Sequence, residues 1–146
     1  ICDRVEVCTD DGSAGFKGFV TQRLAQLIAG DGPGRPDQVV AIGPMAMMRA
    51  VAETTRADRI PTLVSMDPLM VDGTGMCGGC RVTVAGEAQF ACVDGPCFDG
   101  HQVDFDVAMR RNKAYVREEK VAVDRLNCQR AMAGELEQEK EAPSCL

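Results

Sequence analysis

Asp72–Cys92 reads DGTGMCGGCRVTVAGEAQFAC, and the rest of the chain is best understood as a support for this stretch. Cys77 and Cys80 flank a Gly-Gly turn, Asp72 stands upstream of them, and Cys92 lies across an expected hairpin whose turn falls at Ala85-Gly86-Glu87. Glycines at 73, 75, 78 and 79 allow the backbone to wrap closely and to point N–H groups inward. Thiolates gathered by such a loop suit a metal. The intervals from Asp72 to Cys77, to Cys80 and then to a more distant Cys92 are those of a plant-type iron–sulfur loop in which a carboxylate replaces the first thiolate.

Spacing alone leaves other readings open. Cys77, Cys80 and Cys92 with His101 or Cys97 could hold a structural zinc, although CVDGPC does not repeat the CxxC knuckle of a zinc ribbon. Eight cysteines could also form a disulfide framework. Their distribution argues against it, because Cys77, Cys80, Cys92 and Cys97 are clustered while Cys2, Cys8, Cys128 and Cys145 are scattered. Alternatively, Asp72 is an ordinary turn residue before Gly73.

The chain has 146 residues, is 45% hydrophobic and carries a net charge of -6. That balance opposes a nucleic-acid surface, which needs clustered Lys and Arg, and favours a protein or small-molecule partner. No apolar run is long enough to span a bilayer, and no basic-then-apolar leader opens the sequence, so a cytoplasmic protein is expected.

Before the central stretch the pattern is α/β. RVEVCT (4–9) alternates as a strand, DDGSAG follows as a turn, FVTQRLAQLIA is an amphipathic helix, QVVAI a buried-type strand, residues 45–56 a helix and IPTLVS a strand. This order predicts a parallel sheet covered by helices, with ligands at the carboxyl ends of its strands. Thr9-Asp10-Asp11 and Gly43-Pro44-Met45-Ala46-Met47 occupy two such ends, and no Gly-rich phosphate loop precedes the first strand. The expected fold is therefore a partial parallel-sheet nucleotide-binding domain (1–66), a small β-hairpin iron–sulfur domain (67–105) and a helical C-terminal tail (106–146). The tail has charges at helical spacing and a sparse apolar stripe, fitting either packing on a partner or a solvated helix held by ion pairs, with EKEAPSCL frayed. Met45, Met47 and Met48 read more simply as core filler than as ligand contacts, and Cys8 as a small buried hydrophobe.

The runs VCTDDGSAGFKGFVT, AIGPMAMM, IPTLVSMDPLMVDGTGMCGGCRVTV and FACVDGPCFDGHQVDFD resemble the C-terminal part of electron-transfer subunits related to that of dihydroorotate dehydrogenase. The resemblance is nearest to the small subunits of sulfide dehydrogenase and NADH-dependent ferredoxin:NADP oxidoreductase, within the ferredoxin-NADP reductase superfamily. It implies a 2Fe–2S cluster on Asp72, Cys77, Cys80 and Cys92, with Asp72 separating this branch from the pyrimidine-pathway subunits, where the position is cysteine. It also implies a partial NAD(H) site, with Gly43, Pro44 and Met47 at the nicotinamide end and Thr9, Asp10 and Asp11 facing the adenosine ribose. A carboxylate there accepts ribose hydroxyls and repels a 2′-phosphate, which favours NADH. FAD is expected on an upstream barrel domain absent from this chain. The implied function is transfer of electrons between NAD(P)H, FAD and the cluster to a large oxidoreductase subunit, with ferredoxin a possible further partner and the chain alone inactive towards NADH. The alternative is a zinc-stabilised interaction module without redox activity.

Overall fold

The structure is a computed structural model describing residues 3–30 and 34–132; the expected fraying of EKEAPSCL lies outside the described residues. The chain divides into two compact units, residues 1–109 and 110–146. In the first, Val20–Ala29 forms α1, and Gln22 Oε1 reaches back 3.1 Å to accept the Phe19 N–H, satisfying one donor that the helix start leaves unpaired. Met45–Arg56 forms α2 directly after Pro44, whose carbonyl accepts the N–H groups of Met47 and Met48. Its inward face carries Met45, Met48, Val51, Ala52 and Thr55 at helical spacing, so Met45 and Met48 belong to the core.

Call the strands β1 (Cys8–Thr9), β2 (Phe16–Lys17), β3 (Val39–Ala41), β4 (Thr62–Ser65), β5 (Arg81–Val84), β6 (Glu87–Phe90) and β7 (Cys97–Asp99). β3 and β4 pair in parallel, as the pattern predicts. The expected strand over 4–9 is a correction: only Cys8–Thr9 is a strand, and it pairs with β2 rather than with β3. Its hydrogen bonds explain this. The Val7 carbonyl accepts from Phe16 N–H and the Thr9 carbonyl from Gly18 N–H, while Glu6 is ion-paired with Arg23 of α1 and with Arg4. Val5 and Val7 are left exposed, and the half-buried Cys8 lines an open cavity of about 600 Å³ against Val20 and Leu24 rather than sitting in the core.

The sheet has the order β3-β4-β7, with β7 antiparallel to β4. β7 comes from beyond the cysteine loop, so the segment expected as a separate iron–sulfur domain shares its core with the α/β part. Met48, Val64, Met66, Cys80, Val82, Ala91, Phe98 and Phe105 form one buried cluster. β5 and β6 make the expected hairpin, with Val84 opposite Glu87. Ala85 and Gly86 both have positive φ, 52° and 83°, the turn whose twist matches that of antiparallel strands. The hairpin is anchored by Ala85 N–H to the Gln102 carbonyl and by Asp104 N–H to the Thr83 carbonyl.

Helix α3 (Phe105–Asn112) leads into the second unit, where α4 (Val116–Met132) has Glu118 and Glu119 in its first turn and Arg130 in its last, charges that complement the helix dipole. Val116, Val121, Val123 and Leu126 are exposed along it. No helix among the described residues is long and apolar enough to cross a membrane.

Candidate metal centre

The cysteine loop starts where β4 hands the chain to Met66, whose N–H bonds the Pro96 carbonyl. From Asp67 the backbone runs outward, and Asp72 organises the loop. Its Oδ1 accepts the Thr74 N–H and its Oδ2 the Cys77 N–H, both at 2.9 Å. The Thr74 N–H, opposed by slight desolvation and joined by Cys77, holds the Asp72 carboxyl below the usual carboxylate range. A negative oxygen therefore stands beside Cys77 at neutral pH. The Gly79 N–H points at Cys77 Sγ from 3.4 Å, the kind of contact that stabilises a thiolate or a metal-bound sulfur.

The hairpin supplies the other two sulfurs. Cys80 precedes β5 and Cys92 follows β6, so strand pairing alone brings them together, with Ala91 N–H bonding the Cys80 carbonyl. The turn carrying Cys92 is fixed by Asp94, whose Oδ2 accepts the Phe90 N–H at 2.7 Å while its own N–H bonds the Phe90 carbonyl at 2.7 Å. The Sγ atoms of Cys80 and Cys92 are 3.1 Å apart. Burial pushes the Cys80 thiol up, but hydrogen bonds from the backbone and thiol of Cys92 outweigh it and bring Cys80 below its ordinary value. The hydrogen bond with Cys80, helped by desolvation, holds the Cys92 thiol above its own.

Cys8, Cys77, Cys80, Cys92 and Cys97 are free thiols. The fourth ligands that the zinc alternative offers, Cys97 and His101, lie in β7 and in the turn after it. His101 Nε2 lies 3.0 Å from Thr55 Oγ1, which lies 2.6 Å from Thr62 Oγ1, and Cys97 stands in β7 opposite Ser65. His101 is spent on tying the turn after β7 to α2 and β4. The donors instead fall into two neighbouring sets, Asp72 beside Cys77 and Cys80 beside Cys92. Metal–thiolate bonds of about 2.3 Å at tetrahedral angles set two sulfurs about 3.8 Å apart, so a small opening of the Cys80–Cys92 pair admits a metal. Three thiols and a carboxylate, approached by backbone N–H groups, are the kind of donor set that suits an iron–sulfur group.

The expected nucleotide residues lie elsewhere. Gly43 follows β3 with φ 155°, and the Met47 methyl lies over the place a Cβ would occupy, 2.5 Å away. Pro44 then starts α2. Thr9 ends β1, and Asp10 and Asp11 follow it; Thr9 Oγ1 donates to the Ala14 carbonyl at 2.8 Å, and Asp11 Oδ1 accepts the Ser13 N–H at 2.9 Å. The structure brings Gly43, Pro44 and Met47 together and Thr9, Asp10 and Asp11 together, but puts the two groups on different sheets. Asp94, which holds the Cys92 turn, escaped the sequence reading; its position two residues after a ligand candidate is the signal that could have found it.

Residues 67–104 match the family model of the iron–sulfur cluster binding domain of dihydroorotate dehydrogenase B. The segment that carries Asp72, Cys77, Cys80 and Cys92 is thus similar to that class of iron–sulfur domain. More particularly, the chain is 46% identical over 121 residues to a dihydroorotate dehydrogenase B electron transfer subunit homolog of Thermotoga maritima, covering 83% of this chain and 42% of the relative. It is 54% identical over 113 residues to a protein encoded in the adh 3′ region of Clostridium beijerinckii, covering 77% of this chain and 38% of that relative. A solved structure of NADH-dependent reduced ferredoxin-NADP oxidoreductase, described for flavin-based electron bifurcation, superposes with a TM-score of 0.72 at 43% identity, over 83% of this chain and 42% of that one. The chain spans about two fifths of the length of these relatives.

Proposed function

We propose that this chain is the cluster-bearing part of an electron-transfer subunit, and that Asp72, Cys77, Cys80 and Cys92 hold a 2Fe–2S cluster. The observation that carries the reading is the junction of the hairpin: strand register delivers Cys80 and Cys92 to within 3.1 Å, and Asp72 closes the loop that presents Cys77. A bound cluster of this kind accepts and releases single electrons. The residues around it do the rest. Asp72 accepts hydrogen bonds from the Thr74 and Cys77 N–H groups and would supply an oxygen donor, Gly79 N–H bonds the Cys77 sulfur, and the burial of Cys80 limits water at the inner edge of the site. Electrons would come from NADH through an FAD held outside this chain and leave to a larger oxidoreductase subunit. Thr9, Asp10, Asp11, Gly43, Pro44 and Met47 would form part of the NAD(H) site. Open strand ends and the Gly43-Pro44 helix start support that assignment. In this reading residues 1–66, 67–105 and 106–146 are the nucleotide, cluster and tail segments.

The test is stepwise reduction under anaerobic conditions. NADH added to the iron-loaded chain alone leaves its visible absorption unchanged, and addition of the FAD-bearing remainder of the protein bleaches it. Bleaching by NADH without flavin contradicts the division of labour, and no bleaching by dithionite contradicts a redox-active cluster.

A further inference from the structure

Cys80 and Cys92 stand at a separation that two different bonds can use. Thiolates on one tetrahedral metal lie about 3.8 Å apart, and a disulfide bond is about 2.05 Å long. The two sulfurs fall between these distances, at 3.1 Å. The backbone sets this separation. Arg81 is opposite Phe90 in the β5–β6 ladder, so the register puts Ala91, not Cys92, across from Cys80, and the Ala91 N–H bonds the Cys80 carbonyl. A strand continued straight past Ala91 would turn Cys92 to the other face of the hairpin. The chain turns instead. The Phe90 carbonyl accepts the N–H groups of both Val93 and Asp94, and Asp94 Oδ2 accepts the Phe90 N–H, so the turn carries the Cys92 sulfur back to Cys80.

The other thiols are placed differently. Cys-x-x-Cys spacing ordinarily pairs the two cysteines of the motif. Cys77 is committed elsewhere: its N–H bonds Asp72 Oδ2, and its sulfur takes the Gly79 N–H at 3.4 Å. Cys97 stands on β7 opposite Ser65, and Cys8 belongs to another sheet. Cys80 is buried and Cys92 half-buried, so a small reagent reaches one sulfur of the pair while the protein shields the other.

We propose that Cys80 and Cys92 form a reversible disulfide that competes with metal binding, a redox latch built into the hairpin. The oxidant is a low-molecular-weight disulfide such as oxidised glutathione. Its S–S bond breaks and one S–S bond forms between Cys80 and Cys92. Two electrons leave the protein, and the two thiol protons pass to the two small thiols released. The oxidised chain has lost two donors of the site, and a dithiol reductant restores them. The inference rests on the metal-site reading and adds which thiol pair oxidises, and that this bond and the metal exclude each other.

The test uses the full-length electron-transfer subunit, stripped of metal by a chelator under anaerobic conditions and then treated with oxidised glutathione. Tandem mass spectrometry of unreduced peptides finds Cys80–Cys92 as the main internal linkage, and dithiothreitol removes it. Cys77→Ser and Cys97→Ser retain the bond, and Cys80→Ser abolishes it. Asp94→Ala, which releases the Phe90 N–H, slows its formation severalfold, whereas Asp94→Asn, which keeps an accepting oxygen, does not. Ferrous iron with sulfide is taken up at least about tenfold less by the oxidised subunit than by the reduced one, since even loss of a ligand's partner has an effect of that scale. A main linkage at Cys77–Cys80, or glutathione adducts with no internal bond, overturns the proposal. So does a Cys80–Cys92 bond that leaves iron uptake unchanged. A subunit that forms the bond yet takes up no iron when reduced contradicts the metal-site reading and, with it, the competition. One that takes up iron when reduced but forms no such bond overturns the latch and leaves the metal site standing.

Discussion

The chain contains the same small turn twice, with different consequences. Asp11-Gly12-Ser13 and Asp72-Gly73-Thr74 each place glycine at positive φ, 78° and 73°, and each uses the aspartate Oδ1 to accept an N–H two residues on at 2.9 Å. Up to this point the local chemistry is identical. The difference lies in the second oxygen. Asp72 Oδ2 reaches forward to the Cys77 N–H, whereas the loop after Asp11 closes on the Thr9 hydroxyl and has no thiol in it. One turn thus sets a carboxylate beside Cys77, and the other sets one at a strand end. A turn motif specifies backbone geometry; the neighbours brought in by the fold decide what the side chain can do.

Replacing the sulfurs tests the comparison at its strongest point. Cys92→Ser and Cys80→Ser remove nearly all retained iron, while Cys97→Ser leaves it in place, as metal analysis of anaerobically purified protein will show. Equal losses at all three would break the distinction between site and bystander thiols.

The aspartates should part company next. Asp72→Asn keeps an oxygen for the Thr74 N–H but loses the negative donor, so iron retention falls by about tenfold or more, the scale seen when partners of metal ligands are lost. Asp11→Asn preserves its turn and changes stability by less than about 0.5 kcal/mol in denaturant unfolding. An Asp72→Asn protein with a wild-type spectrum would reduce Asp72 to the role of Asp11.

Where the turns are alike, their glycines should respond alike. Gly73→Ala and Gly12→Ala both force a side chain into the left-handed region and each costs about 1–2 kcal/mol, read as a shift in unfolding midpoint. Gly73 faces open space, whereas a Cβ on Gly12 would lie 3.1 Å from Lys17 Cβ in β2, so Gly12→Ala carries a further cost for the shift Lys17 must make. A much larger loss at one position would show that its surroundings, not the turn, set the energy.

The smallest effect is in titration. The Ser13 backbone N–H holds the Asp11 carboxyl below its ordinary value of 3.8. A depressed value in the folded state means the turn's stabilisation is present above the unfolded-state value and is lost as pH falls through the folded one. Carbon-detected NMR should place the Asp11 midpoint below 3.8, and Asp11→Asn should flatten stability in that acidic window. A midpoint at or above the ordinary value would remove the hydrogen bond from the account.

The sequence disclosed these elements unevenly, for physical reasons. Residues 45–56 read as a helix and form α2 over the same span, because Pro44 fixes its start and Met45, Met48 and Val51 mark one face. The β5–β6 hairpin was equally legible from alternation and an Ala-Gly turn. Residues 4–9 were misleading, since Val5 and Val7 alternate like a buried strand yet lie exposed, with Glu6 drawn to Arg23. β7 was invisible: Cys97–Asp99 is short and half polar, and only its pairing with β4 makes it a strand. At the site, the four ligand candidates could be chosen from spacing and resemblance. That Asp72 binds two N–H groups, that Asp94 fixes the Cys92 turn and that His101 belongs to Thr55 depend on contacts between segments that spacing does not encode.

The most direct test of the central claim is metal and sulfide analysis of anaerobically purified protein, combined with electron paramagnetic resonance after dithionite reduction. The account predicts a brown protein with iron and acid-labile sulfide in equal amounts and a reduced-cluster signal that changes in the Asp72→Ala variant. A colourless protein with stoichiometric zinc and no sulfide, under conditions that exclude oxidative loss, would contradict it.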